Sequence, residues 1–141
     1  MSRPLYIVWQ ESFTQGEPII DEQHHGVLST INTLHYFIQQ GYELRELLPT
    51  IKILISFLVF HYKTEEGILR STEYPDIESY DSEMNRVIDE FKAVCEKART
   101  EKSPELVLAY LKNWWHKHLK SHQDITPFLH NWSGEYCRVD K

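Results

Sequence analysis

Three sets of polar side chains fall where helical periodicity calls for apolar ones. His61 and Glu65 stand four residues apart, so on an α-helix an imidazole and a carboxylate stack about 6 Å apart on one side. His118 and His122 repeat that spacing, and His24 lies on the stripe formed by Ile20, Val27, Leu28 and Ile31. Its neighbour His25 is turned about 100° away by the helical period and belongs at the edge of the stripe. One histidine on an apolar face is more often a hydrogen-bonded core residue than a ligand. Three such sets on the inner faces of three helices are a different matter, because each buried polar group is penalised by desolvation unless it is paired. A shared cation removes that penalty. Four His nitrogens and one Glu oxygen suit a borderline transition metal, and five donors fit iron better than the closed tetrahedron of structural zinc.

Positioning these residues requires helices, and the sequence reads as four of them. The first carries Ile20, His24, Val27, Leu28, Ile31, Leu34, His35 and Ile38 on one face, with Asp21 near its start, and stops near Gly41. The second places Ile51, Leu54, Ile55, Leu58, His61, Tyr62, Glu65, Ile68 and Leu69 at steps of three and four, with Pro49 admissible only in its first turn. The third runs from about Glu78 to Ala98, with Tyr80, Met84, Val87, Ile88, Phe91, Val94 and Cys95 inward. Ser103 is suited to cap the fourth and Pro104 to open it, ahead of Val107, Leu111, Trp114, Trp115, His118 and His122 on one side. Short joins between amphipathic helices predict an all-α, up-down-up-down four-helix bundle. Residues 1 to 18 and 126 to 141 read as extended or irregular arms whose aromatics, Tyr6, Trp9, Phe13, Phe128 and Trp132, pack onto the bundle.

Composition narrows the partners. The 141 residues suit a single domain spanning 1–141, and 15 Lys and Arg against 21 Asp and Glu give a net charge of −6. No basic block tracks a phosphate backbone, which argues against nucleic acid. The longest apolar stretch, from Ile53 to Phe60, is interrupted by Ser56 and far short of the roughly 20 residues of a membrane span. No secretory leader is evident at Met1 to Tyr6, so the expected location is cytoplasmic, with Cys95 and Cys137 as reduced thiols and Cys95 in the core. His35 is expected near the site or in the core, and His116 and His130 on the surface. Phe57, Phe60, Trp114 and Trp115 are expected in the core or lining a pocket.

Several separated motifs together resemble the bacterial hemerythrins, four-helix bundles that hold non-heme iron and bind dioxygen. Trp9, Phe13, Gly16 and Ile20-Asp21-Glu22-Gln23-His24 with Leu28, Ile31 and Asn32 look like that family's opening and first helix. His61-Tyr62-Lys63-Thr64-Glu65-Glu66 resembles its HFxxEE motif, Tyr74-Pro75-Asp76 the loop before its third helix, and Trp115-His116-Lys117-His118-Leu119 its WxxHI element. The resemblance implies that His24 and His61 are terminal ligands of one iron, Glu65 a bridging carboxylate, and His118 a ligand of a second iron.

The departures change the expectation. Tyr80 and Met84 stand where the family has a third-helix histidine pair, and Gln123 where it has a second bridging Asp, with His122 and Asp124 on either side. Losing three second-iron ligands should abolish that iron, with Tyr80 and Met84 filling its space. His24, His61, Glu65, His118 and His122 can still close around one iron. Coordination by Tyr80 as a phenolate is a further alternative, although core packing accounts for an inward tyrosine. Family-type oxygen carriage takes one electron from each of two irons, so one iron is instead expected to bind or sense dioxygen, nitric oxide or peroxide. No general acid or base stands out beyond Glu66 and His25, which argues against an enzyme. The competing readings are a redox- or ligand-dependent module that signals to a protein partner, a di-iron oxygen-binding protein with altered ligands, and a degenerate bundle holding zinc or nothing.

Overall fold

The computed structural model describes residues 5–131, and Trp132 and Cys137 lie outside them. A short 3₁₀ turn, Glu11–Phe13, precedes four helices: α1 (Pro18–Gln39), α2 (Leu44–Ser71), α3 (Ile77–Glu101) and α4 (Glu105–His130). Among the described residues there is no strand. Each helix packs on its neighbours in sequence, α1 also meets α4, and α2 touches α4 across the centre. This is the up-down-up-down four-helix bundle expected from short joins between amphipathic helices.

Local chemistry sets the helix ends. Glu17 caps α1 by accepting from the Ile20 amide, with Pro18 in the first turn. Asp21 reaches back to accept from the amides of Gln15 at 2.7 Å and Gly16 at 3.1 Å, fastening the preceding loop to the helix. Gly41, with φ of 87°, adopts the left-handed conformation that lets the chain leave α1.

Two helices extend beyond their sequence-based limits. α2 starts at Leu44 because Glu43 and Glu46 form a reciprocal capping box, so Pro49 sits in the second turn, exposed, where it removes one backbone hydrogen bond without ending the helix. α4 continues through Pro127 to His130, where an irregular arm had been expected from residue 126. Packing of Ile125 and Leu129 against Ile20, Ile68 and Leu69 holds this last turn, and His130 Nε2 lies 2.7 Å from the Gln15 carbonyl oxygen. Ser103 does not cap α4; its hydroxyl instead lies 3.3 Å from Glu105 Oε2.

The described part of the N-terminal arm packs as expected. Tyr6 stacks on His35, Trp9 on His25, and Phe13 meets Trp115 edge-on. Asn32 pairs with both backbone groups of Ile7, accepting from its amide and donating to its carbonyl at 2.9 Å each, as a β-ladder partner would. His35 is therefore half-buried under the arm rather than part of the central site. Phe60, expected inside, is 57% exposed because its place on α2 faces away from the other helices, and Cys95 is only half-buried.

The apolar interior has two parts. Ile20, Ile68, Leu69, Ile125 and Leu129 close one end. A larger cluster including Val27, Leu28, Leu58, Tyr62 and Trp115 fills the rest. Between them α1, α2 and α4 contribute His24, His61, Glu65, His118 and His122, all buried.

The α1/α2 contact supplies a test of packing. A Cβ at Gly26 would lie 2.3 Å from Phe57 Cζ, so this helical glycine makes room for the Phe57 ring. Gly26→Ala is expected to destabilise the wild type. In a Phe57→Ala background the same change should stabilise by about 0.5–1 kcal/mol, the helix-propensity gain released once the clash is gone. Chemical denaturation of the four proteins measures this coupling, and equal effects of Gly26→Ala in both backgrounds would contradict it.

Candidate metal centre

His24 faces inward because Ile20, Val27, Leu28 and Ile31 bury the same side of α1. Leu54, Leu58 and Ile68 do the same for His61 and Glu65 on α2, and Leu111, Trp115 and Ile125 for His118 and His122 on α4. One donor atom from each of the five residues lies within 4.8 Å of every other. His118 Nε2 is 3.2 Å from His24 Nε2, 3.0 Å from His61 Nε2 and 3.1 Å from His122 Nε2, and the His24 and His61 Nε2 atoms are 3.1 Å apart. Glu65 Oε2 closes the group at 2.9 Å from His61 Nε2 and 2.7 Å from His122 Nε2, with His118 at 3.6 Å and His24 at 3.9 Å.

Hydrogen bonds alone do not account for this arrangement. An imidazole nitrogen carries one proton or one lone pair, so His118 Nε2 cannot bond to three other ring nitrogens at once. The spacing instead fits donors around an ion. Ligands at about 2.1 Å set at right angles are about 3.0 Å apart, whereas tetrahedral ones are about 3.4 Å apart. The 3.0–3.2 Å nitrogen spacings match the first case. The donor set therefore fits a divalent transition metal, and the third helix adds no donor to it.

Two neighbours hold the donors in place, and sequence reasoning assigned a role to neither contact. Gln23 Oε1 lies 3.0 Å from His61 Nδ1, which pairs it with the Nδ1–H tautomer and leaves the Nε2 lone pair directed at the cluster. Gln23 is fixed in turn by donating to Thr64 Oγ1 at 3.0 Å. Its signal was present, since Gln23 follows Ile20 by three and precedes Val27 by four, a polar residue on the apolar stripe. Tyr80 donates its hydroxyl to Glu65 Oε1 at 2.5 Å. Burial and the adjacent Glu65 push its pKa far up, so the group is a protonated phenol bonded to the carboxylate, not a phenolate. Met84 is buried on the same helix, as expected of a space-filler.

His25 is exposed and stacked on Trp9, and Glu66 is half-buried beside Lys63 and Arg70, so neither joins the five donors. His116 and His130 are exposed, as expected. Trp114 stacks on His118 with ring centroids 5.0 Å apart, and its indole donates to the Tyr62 hydroxyl at 2.9 Å.

Protonation of the cluster is strongly biased. Burial chiefly, and then the other three imidazoles, lower the His24 pKa. Burial likewise lowers His118 from 6.5 to about 4, against the opposing pull of Glu65. Burial by itself would raise Glu65, but His61, His122 and His118 outweigh it and hold its carboxyl well below the ordinary range. A depressed imidazole contributes stability in full above its unfolded pKa near 6.5, and this is lost as the pH falls toward the folded value near 4. The depressed carboxylate acts in the same direction, its contribution being lost as the pH falls through its lowered pKa. Metal-free protein should therefore lose stability below pH 6.5 with a slope approaching about 1.4 kcal/mol per pH unit for each such proton. Denaturation midpoints that stay level from pH 7 to about 4.5 would contradict this assignment.

Comparison with known proteins agrees with this geometry. The family described as Hemerythrin HHE cation binding domain matches residues 15–129, spanning all four helices. Bacteriohemerythrin from Pseudomonas paraeruginosa is 32% identical over 69 residues, and the match takes in 49% of this chain and 44% of that protein, less than half of either. A bacteriohemerythrin from Pseudomonas aeruginosa matches to the same extent. Hemerythrin-like protein from Naegleria gruberi is 24% identical over 112 residues, covering 79% of this chain and 83% of the relative. With the family match running from the N-terminal loop to the last turn of α4, and a buried His/Glu cluster inside it, the chain belongs to the hemerythrin family of cation-binding domains.

Proposed function

We propose that this chain, acting as one domain, binds a single iron through His24, His61, Glu65, His118 and His122 and takes up a small molecule such as dioxygen, nitric oxide or peroxide there. The observation that carries this reading is the 2.5 Å hydrogen bond from Tyr80 to Glu65 Oε1. A carboxylate that bridges two metals with one oxygen on each must turn both oxygens toward the ions. Here one is committed to a phenol and only Oε2 turns toward the four imidazoles. With Tyr80 and Met84 on α3 and Gln123 exposed on α4, the chain also lacks imidazole and carboxylate donors for a second ion in their places.

An iron held by five protein donors would supply one exchangeable coordination position and a one-electron couple. The protein's own groups do the rest. Gln23 keeps His61 in the tautomer with Nε2 free, Tyr80 keeps Glu65 oriented, and Trp114, Trp115 and Phe13 exclude bulk water. With one iron there would be no second metal to share the electrons, so the function that fits this reading is binding or sensing of a small ligand rather than family-type oxygen carriage.

Metal analysis of anaerobically purified protein should give one iron per chain, and the ferrous form should respond to nitric oxide. Two irons per chain, or a reversible oxygenated form that reverts under vacuum, would overturn the reading. His61→Ala or Glu65→Ala should abolish metal binding and lower the metal-loaded melting temperature, while His25→Ala should bind metal as before. The combined Tyr80→His, Met84→His variant, which also frees Glu65 Oε1, should gain some second-metal occupancy, measured by the same stoichiometry.

A further inference from the structure

Between α3 and α4 lies a cleft of about 340 Å³ whose floor includes Tyr62, Tyr80, Trp114 and His118. Of the five clustered donors, His118 is 5% exposed and the other four are at 0%. His118 is also the one donor among the five that lines a described cavity. The cleft thus reaches the cluster at the histidine that retains solvent contact. On the His24 side the cluster is covered by Trp115, which is buried and meets both His24 and Phe13 edge-on.

Charge at the mouth is uneven. Arg86 is engaged on both sides, by Glu83 and by Glu90, and so presents no free cation. Asp76 and Asp124 then face a lone Lys117, and with Glu83 and Glu90 the lining carries four carboxylates against two cations. Burial first, and then Asp76 and Asp124, raise the pKa of Tyr74 between them, which is the effect of two carboxylates facing the same end of the cleft.

We infer that the α3/α4 cleft is the port through which a divalent cation, and after it a small neutral ligand, reaches His118, and that its acidic mouth disfavours anions. The inference rests on the single-metal reading for what lies at the end of the cleft, but it concerns the route. A negative potential at a narrow opening raises the local concentration of cations and lowers that of anions, and salt screens the effect. Asn113 and Ser121 are exposed residues on the α4 wall of the cleft, and neither is one of the five donors; the Ser121 hydroxyl donates to the His118 backbone carbonyl at 2.6 Å, so Asn113 offers the plug that leaves this contact intact.

The test mixes the metal-free 141-residue chain with cobalt(II) and follows the rise of its visible absorption. Ser121→Trp and, independently, Asn113→Trp should slow uptake by about tenfold, because the metal must then wait for the plug to move. Final cobalt per chain should not change. Asp76→Asn with Asp124→Asn should slow uptake about threefold at low salt, with the difference vanishing near 0.5 M salt. In iron-loaded ferrous protein the plugs should slow nitric oxide association in parallel, and the charge-neutral variant should accelerate azide. Unchanged rates in both plugged variants would overturn the port while leaving the single-metal reading intact. Two cobalt ions per chain would overturn the single-metal reading, with the rates still deciding the route. Absence of any uptake would overturn both.

Discussion

Five donor groups meet in a space nearly closed to water, and most of the architecture around them follows from what that demands. Four imidazole nitrogens about 3 Å apart repel one another unless something positive lies between them, and Glu65 supplies only one negative charge. Placing this arrangement inside a bundle divides the apolar core. The cluster of Ile20, Ile68, Leu69, Ile125 and Leu129 is separated from the larger one by the polar layer, so neither alone defines the relative positions of α1, α2 and α4. A cation in the layer would join the three helices through directional bonds. Without it, the same residues are held by apolar packing at either end and by neutral imidazoles whose protonation is opposed by burial.

α3 contributes differently. Its inward residues, Met84, Val87 and Phe91, are apolar, and its polar contribution to the centre is a single hydroxyl. That hydroxyl acts on the carboxylate instead of on an ion. By binding Oε1 it limits Glu65 to one face, and its raised pKa keeps the proton on the phenol. The difference between a pair of imidazoles and a Tyr/Met pair at these positions is thus a difference in how many directions one carboxylate can serve.

Much of this was legible in the sequence because the informative residues contradict their surroundings. A histidine among Ile20, Val27 and Leu28, or a glutamate between Tyr62 and Ile68, stands out against a periodic apolar pattern, and four-residue spacing already puts donors on one side of a helix. Features that were not legible depend on contacts between helices or on compensation at helix ends. The Tyr80 to Glu65 bond joins α2 and α3, and an inward tyrosine looks the same in sequence whether it packs or donates. Pro49 suggested the first turn of a helix and residues from 126 on read as an arm, yet the Glu43/Glu46 capping box starts α2 earlier and the Ile125/Leu129 packing carries α4 further. Phe60 reads as a core residue by composition, and only the assembled bundle shows its side of α2 uncovered.

The two neighbouring tryptophans on α4 give the centre an optical dimension. Trp114 stacks on His118 with an interplanar angle of 18°, and Trp115 meets His24 edge-on with ring centroids 5.0 Å apart. Each indole is therefore coupled to a different donor of the same cluster. An open-shell ion at that distance drains the excited state of both rings before they emit, whereas a closed-shell ion such as zinc leaves their light largely intact. Trp9 stacks instead on His25, which is not one of the five donors. The chain's own fluorescence thus distinguishes what kind of ion it holds, with no label attached.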